Sequence, residues 1–270
     1  MGQFESLFNT ESTGQVKSEI RLSPQFVPLA FSVKEAINLL RGNIQLSGYD
    51  LKLISVTSAV PDEGKSSVSF HLAQSFASLK KKTLFVDCDI RKSVMCERYG
   101  LPGDLDGLTE FLCGTRSIPD VVYHTDETYL DVILTGALSP NPSELISSMR
   151  FEQLCKWARQ KYDYVIMDTP PVNTVIDGTI VSKRCDGTVL VVVSGQTERA
   201  QAVRAKQQLE YADVRVLGVV MNKVNTSKGR YGYGYGYGYG YGYGYYNKYN
   251  EDEPGDHNKH HRFGIHRKNS

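Results

Sequence analysis

Ala59-Val60-Pro61-Asp62-Glu63-Gly64-Lys65-Ser66 lies between an apolar run, Leu51 to Ser58, and a segment in which Val68, Leu72, Phe76 and Leu79 recur at helical spacing. A strand, a glycine-containing turn and a helix from about Ser66 form the context that a phosphate-binding loop requires. Gly64 lets the backbone pass close to a phosphate, while the loop amides and the helix N-terminus face the negative charge. Asp62, Glu63, Gly64, Lys65, Ser66 and Ser67 are therefore the candidate cofactor-binding residues. Lys65 is placed to neutralise the β- and γ-phosphates of ATP, and the Ser66 hydroxyl to bind Mg²⁺. Ala59 departs from the general motif, which has its first glycine there. For so degenerate a motif, an ordinary strand-turn-helix loop is the competing reading.

Two more apolar runs end in acid. Leu84-Phe85-Val86 runs into Asp87-Cys88-Asp89-Ile90-Arg91, and Val165-Ile166-Met167 runs into Asp168-Thr169-Pro170-Pro171. Ligands of open parallel sheets bind at the carboxyl ends of the strands, so these carboxylates are expected where the loop holds its nucleotide. Aspartates also cap strands and begin turns. Three strand ends would then have to imitate a Mg-nucleotide site together.

Further short apolar runs occur at Leu130 to Leu134, Thr188 to Val193 and Val216 to Met221. The run Thr188-Val189-Leu190-Val191-Val192-Val193 does not alternate, as in a strand buried on both faces. With helical stretches between several of the runs, the expected fold is α/β: a doubly wound, mainly parallel sheet of the P-loop NTPase type. Before the first strand, Val33, Ile37, Leu40 and Ile44 mark an amphipathic helix. Another helix starts where Asn141 can cap, Pro142 suits the first turn and Glu144 can reach back.

With 270 residues, the chain can bury one substantial core. Lys+Arg 31 against Asp+Glu 30 gives a net charge of +1, which offers no global attraction for nucleic acid. The five cysteines are odd in number and lack a CxxC pair, which argues against a disulfide framework or a zinc site. No apolar run approaches the roughly 18 residues of a membrane span, so a cytoplasmic protein is expected. Composition divides the chain into an N-terminal arm (1–30), a folded P-loop domain (31–228) and a tail (229–270). Ten of the 17 tyrosines fall in that tail: Tyr231, Tyr233, Tyr235, Tyr237, Tyr239, Tyr241, Tyr243, Tyr245, Tyr246 and Tyr249.

The loop ending Gly64-Lys65-Ser66, the motif Leu84 to Arg91 and the motif Val165 to Pro171 together resemble the bacterial tyrosine kinases of capsule and exopolysaccharide operons, relatives of the MinD/ParA ATPases. The likeness extends through Leu134-Thr135-Gly136 and Pro140 to Leu145 to Gly218-Val219-Val220-Met221-Asn222-Lys223. It covers roughly residues 30 to 225, and a tyrosine-rich tail is the family's other mark.

The resemblance implies a non-specific protein-tyrosine kinase that uses ATP and Mg²⁺ and phosphorylates its own tail in trans. Lys65 contacts the phosphates. Ser66, Asp87 and Asp168 serve the metal, and Asp87 and Asp89 act in metal binding and nucleophile activation. Asp87 is the expected proton acceptor, with Asp89 the alternative. Arg91 and Lys92 either serve the transferring phosphate and the acceptor or form a solvated helix start. Asn222 matches the position near the adenine.

The resemblance also implies a membrane adaptor that holds the kinase at the inner face of the membrane, a cognate tyrosine phosphatase and a homo-oligomer. Glu35 and Arg41 belong to the family's E-x-x-R-x-x-R interface motif, whose middle position is here Asn38. Two other readings compete. A partitioning ATPase would share most of the site, but has no chemical use for the tyrosines. A Tyr-Gly adhesive segment on an inactive domain conflicts with the intact Gly64-Lys65-Ser66.

Overall fold

The computed structural model describes residues 29 to 224, Gly103 excepted. The chain divides into two units, Met1–Asn225 and Thr226–Ser270, and the second lies wholly outside the described residues. So do residues 1–28 of the expected arm and all ten tail tyrosines.

Helix α1 (Phe31–Leu46) is followed by β1 (Leu53–Ser58), α2 (Lys65–Ala77) and β2 (Thr83–Asp87). Three short helices come next, α3 (Met95–Tyr99), α4 (Leu108–Cys113) and α5 (Ile118–Val121), and then β3 (Tyr123–His124) and β4 (Leu130–Ile133). The chain continues through α6 (Pro142–Ser147), α7 (Met149–Lys161), β5 (Tyr164–Asp168) and α8 (Asp177–Ser182). It closes with β6 (Gly187–Val193), α9 (Arg199–Tyr211) and β7 (Val216–Asn222).

The sheet order is β3-β4-β2-β5-β1-β6-β7, parallel throughout except for the β3–β4 pair. Connections run to one side of β1 for β2 and to the other for β6. β1 is thus the switch point, outside whose carboxyl end a doubly wound sheet binds its ligand.

Both faces are covered because successive strand residues point to opposite sides. Ile54, Val56 and Phe85 pack with Ile37, Val68, Leu72 and Phe76 of α1 and α2. On the other face, Leu53, Leu84 and Val86 pack with Phe111, Phe151 and Leu154. β1, β2 and β6 are buried along their whole length, as their unalternating sequences require. β7 differs because it is the sheet edge: Val219 and Met221 are 56% and 61% exposed.

Three local expectations need correction. α2 starts at Lys65 and ends at Ala77, before the left-handed turn residue Lys80, so Leu79 leaves the apolar stripe and is exposed. Val33 is likewise exposed, whereas Ile37 and Ile44 are buried. Pro142 does begin α6, but Asn141 makes no side-chain capping bond; its backbone N–H is held by the Ser139 hydroxyl.

Candidate active site

β1 delivers the chain into the loop 59–64, and α2 carries it away. Gly64 caps α2 with φ +84°, a left-handed backbone that favours glycine, and a Cβ there would displace the Asn222 amide, whose Nδ2 lies 2.3 Å from its position. Ala59 needs no glycine: its backbone is not left-handed, and its methyl is fully buried with Val172, Leu190 and Val192.

Lys65 Nζ lies 3.2 Å from Asp89 Oδ2, 3.5 Å from Asp168 Oδ2 and 3.3 Å from the Ser66 hydroxyl. Asp87 and Asp168 are register partners at the ends of adjacent strands, each only 1% exposed. The Asp87 carboxylate accepts from the Ser93 hydroxyl at 2.5 Å and from the Asp89 N–H at 3.1 Å.

Burial, then the neighbouring Asp168, push Asp87 up to about 7, despite Ser93 and Lys65. Burial also raises Asp168, offset first by Lys65. For Lys65, burial acts to lower the pKa, but Asp168, Asp89 and Asp87 more than offset it and hold the ammonium above its ordinary value.

A cavity of about 220 Å³ opens beside these groups, lined by Asp62, Gly64, Lys65, Ser66, Asp89 and Arg91 among others. Glu63, Ser67, Asn222, Asp87 and Asp168 do not line it. Glu63 turns inward, where its carboxylate accepts from the Val60 N–H at 2.9 Å and from the Thr197 hydroxyl, so only its backbone can face a ligand. Ser67 is half-buried in the first turn of α2. Asn222 holds the loop itself, donating to the Glu63 carbonyl at 2.9 Å.

Arg91 lines the cavity, but its guanidinium is committed elsewhere. It donates to Asp177 and, at 3.0 Å, to the Ser143 hydroxyl. Asp177 is fully buried, and a buried carboxylate needs such a partner. Lys92 and Arg98 also line the cavity.

The motif residues on α1 are occupied within the chain. Arg41 Nη1 donates at 2.7 Å to both the carbonyl and the hydroxyl of Ser75, and Asn38 bridges Glu35, Arg41 and Ser75. Sequence reasoning missed Ser93, Ser143, Asp177, Thr197 and Lys223 as site neighbours. The available hints were the places of Ser143 and Lys223 within stretches that carry the family likeness.

The residues fit a magnesium-nucleotide. Three carboxylates face one ammonium, Asp168 Oδ1 has no hydrogen-bond partner among the described residues, and the donors are hard oxygens. Among the described residues no three His, Cys, Asp or Glu form a ready cage.

A lysine and serine at the start of a helix, facing acidic ends of neighbouring parallel strands, define a P-loop nucleotide-binding domain. The family model described as AAA domain matches residues 51–203. The tyrosine-protein kinase CpsD of Streptococcus pneumoniae is 42% identical over 199 residues, covering 74% of this chain and 88% of that one. The solved kinase domain of the Escherichia coli tyrosine kinase ETK superposes with a TM-score of 0.69 at 34% identity, over 77% of this chain and 81% of that one. The chain belongs to the bacterial tyrosine-protein kinases. MinD of Pyrococcus horikoshii, solved with Mg-ADP, shares the fold alone: TM-score 0.55 at 19% identity, over 63% of this chain and 69% of that one.

Among the described residues no helix is long and apolar enough to cross a membrane.

Proposed function

We propose that this domain transfers the γ-phosphoryl group of Mg-ATP to tyrosines between Tyr231 and Tyr249 of another copy of the chain. The carrying observation is the convergence of Lys65, Asp87, Asp89 and Asp168 at the start of α2, in a chain with ten tyrosines downstream of the domain. Phosphoryl transfer needs alignment and charge neutralisation more than covalent chemistry.

Lys65 exchanges its carboxylate partners for phosphate oxygens, and the α2 N-terminus adds its amides. Ser66 and Asp168 would hold Mg²⁺, with Asp87 close by, and the ion when bound would supply charge neutralisation across the phosphates. Asp87 accepts the phenolic proton. A carboxyl raised to about 7 is half-ionised near neutral pH, which suits a base acting on a phenol of pKa about 10. Asp89 is the second reading, because it lines the cavity, whereas Asp87, only 1% exposed, does not.

In the cell, the kinase works in the cytoplasm at the inner face of the membrane. A membrane adaptor activates it, a tyrosine phosphatase reverses it, and its substrate process is capsule or exopolysaccharide synthesis. The test is phosphotyrosine mapping by mass spectrometry after incubation with Mg-ATP, for the wild type, Asp87→Asn and Asp89→Asn. Asp87→Asn is expected to lose about 10²–10⁴-fold in transfer rate while still binding nucleotide. If only Asp89→Asn does so, the base is Asp89. If the wild type does not label the tail tyrosines, the acceptor assignment fails.

A further inference from the structure

The phosphate-binding loop is held from outside by the end of β7. Lys223 Nζ donates to the Asp62 carbonyl at 2.9 Å, and Asn222 Nδ2 donates to the Glu63 carbonyl at 2.9 Å. The Asn222 amide is itself oriented, because its Oδ1 accepts from the Lys223 N–H at 2.8 Å.

In a planar trans peptide, a carbonyl and the N–H that follows it point in opposite directions. Fixing the Asp62 carbonyl therefore sets the direction of the Glu63 N–H, and fixing the Glu63 carbonyl sets that of the Gly64 N–H. Neither N–H makes a hydrogen bond among the described residues. Consecutive free amides at a helix start are the groups that form an anion-binding concavity.

Backbone strain accompanies the arrangement. Asp62 and Lys223 are both left-handed, with φ +62° and +54°, and one hydrogen bond joins them. Non-glycine residues keep such angles where surrounding contacts enforce them.

We infer that Asn222 and Lys223 are positioning residues for phosphate capture: they hold two loop carbonyls outward so that the Glu63 and Gly64 amides face the incoming phosphate. The inference rests on the P-loop reading of the site. It differs from a role for Asn222 at the adenine, because it places the effect on the phosphate side, where the nucleobase does not matter.

Isothermal titration of the full chain with Mg-ADP and with Mg-pyrophosphate separates the two. Asn222→Ala and Lys223→Met are each expected to weaken both ligands by the same factor, about 2- to 10-fold for one lost hydrogen bond. Lys223→Arg retains a donor and is expected to bind nearly as the wild type does. Circular dichroism shows whether each variant is folded. Weakening of Mg-ADP alone, wild-type binding of pyrophosphate by Lys223→Met, or a loss in Lys223→Arg equal to that in Lys223→Met overturns the inference. Lys65→Met is the control: if it binds both ligands as tightly as the wild type, the P-loop reading itself has failed.

Discussion

Asp87 and Asp168 stand side by side, in register at the ends of two neighbouring parallel strands, and both are sealed from solvent. Two carboxylates so placed cannot both ionise cheaply, and Lys65 is the cation that the structure sets against them. Without ligand the site is an electrostatic conflict awaiting positive charge.

The conflict makes stability depend on pH. Asp87 is raised from its ordinary value to about 7, so the folded state favours its neutral form. The stabilisation is complete below the unfolded pKa near 4 and is lost as pH rises through about 7. Asp168 acts in the same direction, whereas Lys65, held above its ordinary value, keeps its charge throughout this window. The thermal midpoint of the ligand-free protein in EDTA should therefore fall from pH 5 to pH 8. Asp87→Asn should show a flatter profile and a higher midpoint at pH 8; a profile as steep as the wild type's would refute the assignment.

Lys65→Met should abolish tyrosine phosphorylation, by at least about 100-fold, because it removes the charge set against phosphate. The domain should remain folded near pH 6, where Asp87 can hold a proton. At pH 8 the missing ammonium leaves three carboxylates uncompensated, so the loss of stability should grow to about 2–4 kcal/mol. Anti-phosphotyrosine blots and thermal unfolding at the two pH values check both halves. Full kinase activity in a folded variant would remove Lys65 from the mechanism.

The elements of the fold were legible because their signals are local. β1, the loop and α2 are written in consecutive residues, and the unalternating run at Thr188 to Val193 announces a doubly buried strand. The acidic strand ends were legible too, since a parallel sheet brings them to one edge. What fastens them was not. Arg91 finds Asp177 across 86 residues, Thr197 finds Glu63 across 134, and Lys223 finds Asp62 across 161. Such partners are chosen by strand order and register. A reading residue by residue sets Arg91, Glu63 and Asn222 beside the ligand but does not reveal the partners that their side chains also have within the protein.

The Arg91–Asp177 pair offers a cycle. Arg91→Met leaves the fully buried Asp177 without its cation and should destabilise by about 1–3 kcal/mol, reduced because Arg91 is 40% exposed. Asp177→Asn leaves a partly exposed arginine that water can solvate, and should cost less. The double variant should recover part of the Arg91→Met loss, since the stranded charge is gone. Chemical denaturation of the four proteins measures this. Strict additivity would mean that the two residues do not act as a pair.

The tail prediction follows from geometry and charge together. Tyrosine and glycine alternate from Tyr231 to Tyr245, so each phenol from Tyr233 to Tyr243 is flanked by residues without side chains. The site that receives a phenol is acidic, with Asp87, Asp89 and Asp168 around Lys65. Each phosphotyrosine adds about −1.5 to −2 charges at pH 7, so a few would outweigh Lys228, Arg230 and Lys248. A modified tail should then be repelled by other modified tails and by the site, so phosphorylation should loosen any assembly and slow further transfer, less so at high salt. Lys65→Met protein with an intact tail is mixed with active protein truncated after Arg230. Phosphotyrosine on the inactive partner shows transfer between copies; an unmodified partner, alongside full-length protein that labels itself, overturns it. Sedimentation of labelled and unlabelled full-length protein at low and high salt tests the repulsion, and equal sedimentation under both conditions would refute it.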